Sequence, residues 1–391
     1  MRIAVLTDND FGKVNGVTTT LKALLSHAPL DVRPHIYTFA GEAAHRPGYT
    51  ALRSWGLPIP FYREMRMYLP RLAELRARLA MDGVSAIHLT TPGPAGLAAR
   101  RLAADLDLPL VGSYHTELGD YTARLSGSVR LGRLMQDYLR WIYGGCERVL
   151  VPSTATAQRL VADGWREERL AVWSRGVDGD LFNPRRRSMA LRSAWRVSDT
   201  RPAILYAGRV SAEKGLALLP AVGRLLDEYR MSHRFVICGD GPMQGELRKQ
   251  MRHAVFTGVV DHASMGEIMA SADVFLFPSD TDTAGNVVLE AQACGLPVLV
   301  SSQGGPRENI VDGQTGFVCE GGSEGAFCYR AAELLVDAGR RHTMAEEARR
   351  YALTRRWSAA MEPLFACYRA TLRAAAARPT RMAAREQTAQ I

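Results

Sequence analysis

Short apolar runs separated by glycine- and proline-marked turns recur along the chain. In the first half they fall at residues 3–6, 32–39, 86–89, 110–114, 149–152 and 170–173. Runs of this length, apolar on both sides, fit buried parallel strands. Helical stretches lie between them: a Thr-, Leu- and Ala-rich stretch to Ala28, residues 71–82, a stretch before 110, and one through Asp163. Residues 131–143 carry apolar side chains at 131, 134, 135, 138, 139 and 142, a helical spacing, with Arg130, Arg133 and Arg140 off the stripe. That helix is expected to face the core and to solvate its basic side. Residues 53–70, RSWGLPIPFYREMRMYLP, hold prolines at 58, 60 and 70 that oppose long regular structure, so an irregular surface loop is expected.

The pattern restarts after residue 200. Strands are expected at 203–207, 235–238, 255–258, 274–277 and 297–300, and helices at 285–294, 323–337, 342–354 and 359–374. Gly295 is placed to end the first of these helices. Two rounds of strand and helix predict an α/β chain of two doubly wound domains. The expected boundaries are 1–185 and 200–355, a crossing segment at 356–377, and a small, charged tail at 378–391 without order.

Composition narrows the setting. With 391 residues and 47% hydrophobic residues, two ordinary cores are available. The six cysteines (146, 238, 294, 319, 328 and 367) contain no CxxC pair. They favour a reducing, cytoplasmic setting and argue against a zinc site. No signal peptide is expected, because residues 2–6 are too short for a signal core and run into Asp8-Asn9-Asp10. No apolar segment reaches 18 residues, so no membrane-spanning helix is expected. The net charge of +9 suits an anionic partner: a phosphorylated substrate, an acidic lipid surface or nucleic acid. The basic residues are spread along the chain without a nucleic-acid-binding motif, so a basic nucleic-acid binder stands only as the alternative reading.

The chemistry concentrates in VFLFPSDTDTAGNVVLEAQACGLPVLV, residues 274–300. It reads as strand, loop, helix, strand, with the loop on the edge where open α/β sheets bind ligands. Gly285 and Asn286 open the helix, and free amides at a helix start suit phosphate. Asp282 precedes the helix and Glu290 lies about two turns inside it. Two carboxylates and a row of amides fit a sugar attached to a diphosphate. Elsewhere, Arg209 and Lys214 follow the strand 203–207 as Gly208-Arg209 and Glu213-Lys214-Gly215. Arginine holds phosphate as a planar fork and lysine as a point charge, though isolated cations belong in solvent. Gly16 sits at the first strand-to-helix turn, where glycine admits a close ligand or simply makes a tight turn. His115 ends the strand 110–114 at the ligand edge, although a lone histidine more often bonds nearby backbone.

The stretch 274–300 resembles the signature of retaining glycosyltransferase family 4: Glu, seven residues, Glu, then Gly-x-Pro-Val. Here these positions hold Asp282, Glu290 and Gly295-Leu296-Pro297-Val298. It looks closest to the branch of GDP-mannose-dependent mannosyltransferases and sulfoquinovosyltransferases, whose loop reads Ser-Asp-Thr-Glu-Thr-Phe-Gly-Asn-Val-Val-Leu-Glu. The chain departs from it with Asp282 for Glu and Ala284 for Phe. The resemblance implies a GT-B fold, two Rossmann-like domains facing a central cleft, with the C-terminal helix crossing back to the first. It implies retaining transfer of a hexose from a nucleotide-diphosphate sugar, GDP-mannose or a UDP-sugar, to a hydroxyl of a lipid, glycan or small molecule. The implied roles follow: Arg209, Lys214 and the amides near Gly285 and Asn286 for the diphosphate, Glu290 for ribose, and Asp282 for the donor sugar. His115 would contact that sugar or its phosphate, and Gly16 the phosphate. Residues 53–70 match a variable acceptor region. Attack on the face the phosphate leaves is implied, with Asp282 as a covalent nucleophile only a minority view.

Asp280-Thr281-Asp282 and Asp8-Asn9-Asp10 also spell the Asp-x-Asp of metal-dependent transferases. Arg209 and Lys214 already supply positive charge, so no cofactor and no metal are expected. Peripheral contact with an anionic membrane, on its inner face, completes the expected partners.

Overall fold

The computed structural model describes residues 1–11, 16–39, 44–52, 54–59 and 62–377. Packing divides the chain into two units. One contains 1–151, 160–173 and the chain from 361; the other contains 152–159 and 174–360. Residues 174–185 thus pack with the second unit. The last helix, Trp357–Ala376, begins in the second unit and continues in the first. The expected tail and residues 12–15 of the first turn lie outside the described residues.

In the first unit the strands are β1 (Arg2–Thr7), β2 (Arg33–Thr38), β3 (Ala44–Arg46), β4 (Tyr49–Ala51), β5 (Trp55–Ile59), β6 (Tyr62–Leu69), β7 (Ala86–Leu89), β8 (Leu110–Ser113), β9 (Arg148–Val151) and β10 (Leu170–Val172). Eight form one sheet in the order β10-β9-β8-β7-β1-β2-β4-β3. Its pairs are parallel except β3 with β4. Ile3, Val5, Leu6, Ile87, Leu89 and Val111 are buried, as central strands covered on both faces require. The order reverses between β1 and β7. There Asp8 accepts from the Ala95 amide (2.9 Å) and the Thr91 hydroxyl (2.6 Å), tying the two strand ends together.

The second unit carries β11 (Ala203–Ala207), β12 (Arg234–Cys238), β13 (Val255–Gly258), β14 (Val274–Phe277), β15 (Val298–Ser301) and β16 (Gly316–Cys319). They form a six-stranded sheet, β13-β12-β11-β14-β15-β16, parallel throughout. The doubly wound order reverses between β11 and β14, and a crevice at that reversal is where such sheets hold ligands. The Tyr206 ring stacks on Phe277 across it, centroids 6.0 Å apart.

Three expectations are corrected. Within the expected loop 53–70, residues 55–59 and 62–69 are regular: β5 and β6 pair antiparallel, Trp55 opposite Leu69. A two-stranded ladder has only edge strands, which tolerate proline. The helix expected over 342–354 begins at Ala338, because the Asp337 side chain caps it by accepting from the Arg340 amide. The helix Val129–Tyr143 buries Leu139 and Ile142, but Leu131 and Leu134 are 47% and 65% exposed, so the apolar stripe faces the core only in its second half.

Candidate active site

Loops after β11 and β14 meet at the reversal of the second sheet. The first holds Arg209 and Lys214, the second Asp282. Several bonds bind them together. The Thr281 hydroxyl donates to the Glu213 carbonyl (2.8 Å), and Lys214 Nζ reaches Asp282 Oδ2 at 2.6 Å. Tyr206 sends its buried hydroxyl to the Arg209 carbonyl (2.7 Å), fixing the backbone that carries Arg209. The next turn is locked against this one: a side chain on Gly239, at φ +131°, would meet the Gly208 carbonyl oxygen at 1.9 Å.

The other oxygen of Asp282 faces the helix Asn286–Ala293. Oδ1 accepts from the amides of Ala284 (3.1 Å) and Gly285 (2.8 Å). Gly285 stands before the first turn at φ +65°, a left-handed conformation that favours glycine. Asn309 Nδ2 donates to the Ala284 carbonyl (2.5 Å), and the Gly305 amide to the Asp282 carbonyl (2.9 Å), holding the loop from the far side. Burial raises the pKa of Asp282, but Lys214 and the two amides outweigh it and hold the carboxyl below its ordinary value.

Glu290 differs. It lies four residues after Asn286, so both project from one face of the helix. Its carboxylate has no hydrogen-bond or ion-pair partner among the described residues, and burial pushes its pKa up to about 7. The Asn286 side-chain oxygen is also buried without a partner. Two unanswered polar groups on one face are what a site awaiting hydroxyl donors presents.

Of the residues singled out in the sequence, the structure brings together Lys214, Asp282 and Gly285, with Arg209 on the same loop as Lys214 and Asn286 and Glu290 on the adjoining helix. Gly16 and His115 belong to the first unit. Gly16 begins the helix Gly16–Ser26. His115 follows β8, with Nε2 2.9 Å from Ser113 Oγ and its ring edge-on to Trp173. In the Asp280–Asp282 pair the two carboxylates have separate partners, Asp280 accepting from the Ser301 hydroxyl (2.5 Å) and Asp282 facing Lys214; Asp8, in the other Asp-x-Asp, accepts from Thr91. Among the described residues no cluster of three metal-ligating side chains is found.

Sequence reasoning passed over Arg175. It is 4% exposed, and burial lowers its pKa to about 10 against the opposing field of Asp282. Its only signal was a cation wedged before Gly176-Val177. Tyr206 and Asn309 were also missed, because they act through backbone and carry no motif.

Residues 14–181 match the family described as Glycosyltransferase Family 4, and 201–337 match Glycosyl transferases group 1. A GDP-mannose-dependent alpha-mannosyltransferase of Mycobacterium tuberculosis is 31% identical over 385 residues, covering 95% of this chain and 97% of that one. The sulfoquinovosyl transferase SQD2 of Arabidopsis thaliana is 33% identical over 334 residues, covering 83% of this chain; the chain spans 64% of that protein's length. Among solved structures, Anabaena Alr3699/HepE in complex with UDP matches with a TM-score of 0.76 at 20% identity, covering 95% of this chain and 100% of that one. The fold is GT-B, and the protein is a glycosyltransferase. It belongs to glycosyltransferase family 4, as the Asp282–Glu290 motif implied. Nothing in these likenesses supports the nucleic-acid alternative.

Proposed function

We propose that this enzyme moves a hexose from a nucleotide-diphosphate sugar, GDP-mannose or a UDP-sugar, to an acceptor hydroxyl with retention of anomeric configuration and without a metal ion. The observation that carries the reading is the meeting of Lys214, Asp282 and the Gly285 amide at the strand reversal, beside the unpartnered Glu290. Arg209, Lys214 and the helix amides stabilise the departing diphosphate. Glu290 and Asn286 take the ribose hydroxyls, and Asp282 orients the donor sugar. On family resemblance, His115 contacts the sugar or its phosphate and Gly16 the phosphate. The acceptor hydroxyl attacks on the face from which the phosphate leaves and gives up its proton to that phosphate. The mannosyltransferase and UDP-complex likenesses motivate the donors to test first.

Thermal shift of the purified protein with GDP-mannose, UDP-glucose and related donors tests the donor class. A donor at a hundred times its Kd should add about 2.7 kcal/mol of apparent stability. The donor that binds should also turn over in EDTA, and NMR should find the product with the donor's anomeric configuration. Loss of all turnover in EDTA, restored by manganese or magnesium, would overturn metal independence; an inverted product would overturn retention.

A lipid acceptor and peripheral membrane contact are proposed with it. On the helix Val129–Tyr143 the exposed apolar residues Val129, Leu131 and Leu134 alternate with exposed Arg130 and Arg133. Among the described residues no helix is long and apolar enough to cross a membrane. A surface combining apolar and basic side chains suits an anionic bilayer. Vesicles containing phosphatidylglycerol should sediment the protein at low salt, and Leu131→Ser with Leu134→Ser should weaken this. No sedimentation, together with efficient transfer to a soluble acceptor, would remove the membrane reading.

A further inference from the structure

The loop that carries Asp282 is clamped from one side by the turn after β15. Gly304, Gly305 and Pro306 lie close against its backbone. A Cβ added to Gly304 would meet the Asp282 carbonyl oxygen at 2.8 Å, one on Gly305 the Thr283 carbonyl oxygen at 2.0 Å, and one on Gly285 would meet Pro306 at 2.9 Å. Three residues beyond Pro306, Asn309 is 6% exposed and turns its carboxamide into that loop. Its Nδ2 donates to two consecutive carbonyls, Ala284 (2.5 Å) and Gly285 (3.3 Å). Both neighbours are acceptors, so the nitrogen of the carboxamide, not its oxygen, must face them. Gln292 Nε2, from the helix Asn286–Ala293, donates to the Asn309 carbonyl (2.6 Å) and fixes the backbone that carries this side chain.

These two bonds decide where two amides point. A trans peptide is planar, with its C=O and N–H directed oppositely. The Ala284 carbonyl shares a peptide with the Gly285 N–H, which donates to Asp282 Oδ1 at 2.8 Å. The Gly285 carbonyl shares one with the Asn286 N–H, the first amide of the helix, which has no acceptor within it. Drawing both carbonyls towards Asn309 therefore aims both N–H groups away from it, to the side that Asp282 Oδ1 occupies. Gly285, at φ +65°, does not set this by itself, because glycine takes left- and right-handed conformations with similar ease. Its flanking peptides can turn over unless a neighbour holds them. The Gly285 carbonyl has a second donor in the Val288 amide (3.0 Å), whereas the Ala284 carbonyl has Asn309 alone among the described residues.

We propose that Asn309 is a positioning residue that holds the Ala284–Gly285 and Gly285–Asn286 peptides with their N–H groups facing the donor diphosphate. It touches no reacting atom. It fixes in advance a concavity of amides that otherwise reorganises when the anion arrives. The proposal rests on the diphosphate lying at these amides, as in the function proposed above.

Two variants test it. Asn309→Leu keeps a side chain of similar size and removes both donors. Asn309→Asp also removes them, and regains one when its carboxyl is protonated. In the ligand-free enzyme near pH 8, hydrogen exchange followed by NMR should quicken at the Gly285 amide in both variants and stay unchanged in β11 and β14. Calorimetry with GDP, UDP, guanosine and uridine then separates the diphosphate from the rest of the ligand. The variants should bind the diphosphate about tenfold more weakly than the unaltered enzyme does. Nucleoside affinity should stay within about twofold, which a general loosening of the fold would not spare. Burial raises the pKa of an introduced carboxyl, so the deficit of Asn309→Asp, taken against the unaltered enzyme at each pH, should shrink as pH falls. That of Asn309→Leu should not. Should Asn309→Leu fail to fold, the exchange and the pH-dependent deficit of Asn309→Asp still decide. Unchanged exchange at Gly285, equal losses for nucleoside and diphosphate, or full diphosphate affinity each overturns the positioning role and leaves the donor reading standing. Failure of the unaltered enzyme to bind GDP or UDP removes the donor reading, and the role of Asn309 with it, whatever the exchange rates are.

Discussion

Lys214→Met is expected to destabilise the donor-free enzyme and to lower kcat/KM a hundredfold or more. Lys214 and Asp282 are 23% and 19% exposed and 2.6 Å apart, so neither charge is well solvated. Removing one partner of such a pair leaves the other charge uncompensated, at a cost of about 3 kcal/mol. With donor bound the loss compounds, because Asp282 then stands beside the diphosphate without the intervening ammonium. Stability and activity separate in a mutant cycle. Lys214→Met with Asp282→Asn removes both charges and should recover most of the thermal stability, yet turnover should stay low. Asp282→Asn alone should spare binding of the bare nucleotide diphosphate and impair turnover of the intact donor. Asp282→Glu restores the residue usual in the family and should stay active. Melting temperatures and kcat/KM for the four proteins of the cycle decide. Near-normal turnover of Lys214→Met would sink the assignment of Lys214 to the diphosphate.

The pairing behind this experiment was not legible in the sequence. Lys214 and Asp282 each stood out through a local motif, but their contact depends on β11 and β14 being neighbours. Strand order follows from how crossovers wind, and no residue spacing records it. The strands themselves were legible because central parallel strands are buried on both faces. Ala203–Ala207 and Val274–Phe277 therefore read as unbroken apolar runs. The antiparallel pair of β5 and β6 was hidden by the prolines of that stretch, whose effect depends on whether a strand has one neighbour or two. The exposure of Leu131 and Leu134 was hidden for another reason. Periodicity shows that a helix has an apolar side, not what covers it. Here Gly132 lets the helix Leu118–Ser126 press close, since an added Cβ would lie 2.7 Å from that of Ala123. Leu131 and Leu134, on either side of it, stay exposed.

Glu290→Gln should weaken both the intact donor and the bare nucleotide diphosphate by about 1.5–3 kcal/mol, the range for a hydrogen bond to a charged group. Ribose is common to both ligands, which sets this variant apart from Asp282→Asn. The pH dependence gives a sharper signature. Burial raises Glu290 to about 7, so near neutrality part of the free enzyme carries a protonated side chain. Only the carboxylate accepts from both ribose hydroxyls, so binding lowers its pKa and releases a proton. Donor affinity should therefore be greatest above pH 7 and fall as pH drops below it. The fold itself should respond in the opposite sense. The folded pKa lies above the ordinary 4.5, so ionising Glu290 costs stability, increasingly as pH rises from about 4.5 through 7. Asp8, raised to about 6, acts in the same direction, so the Glu290 contribution must be read as the difference from the variant. Glu290→Gln should flatten the affinity profile and gain stability relative to the unaltered enzyme at pH 8. Titration calorimetry with both ligands between pH 5.5 and 8.5 measures the first, and thermal melts across the same range the second. A pH profile of nucleotide affinity that is unchanged in Glu290→Gln would mean that the ribose is held by another group.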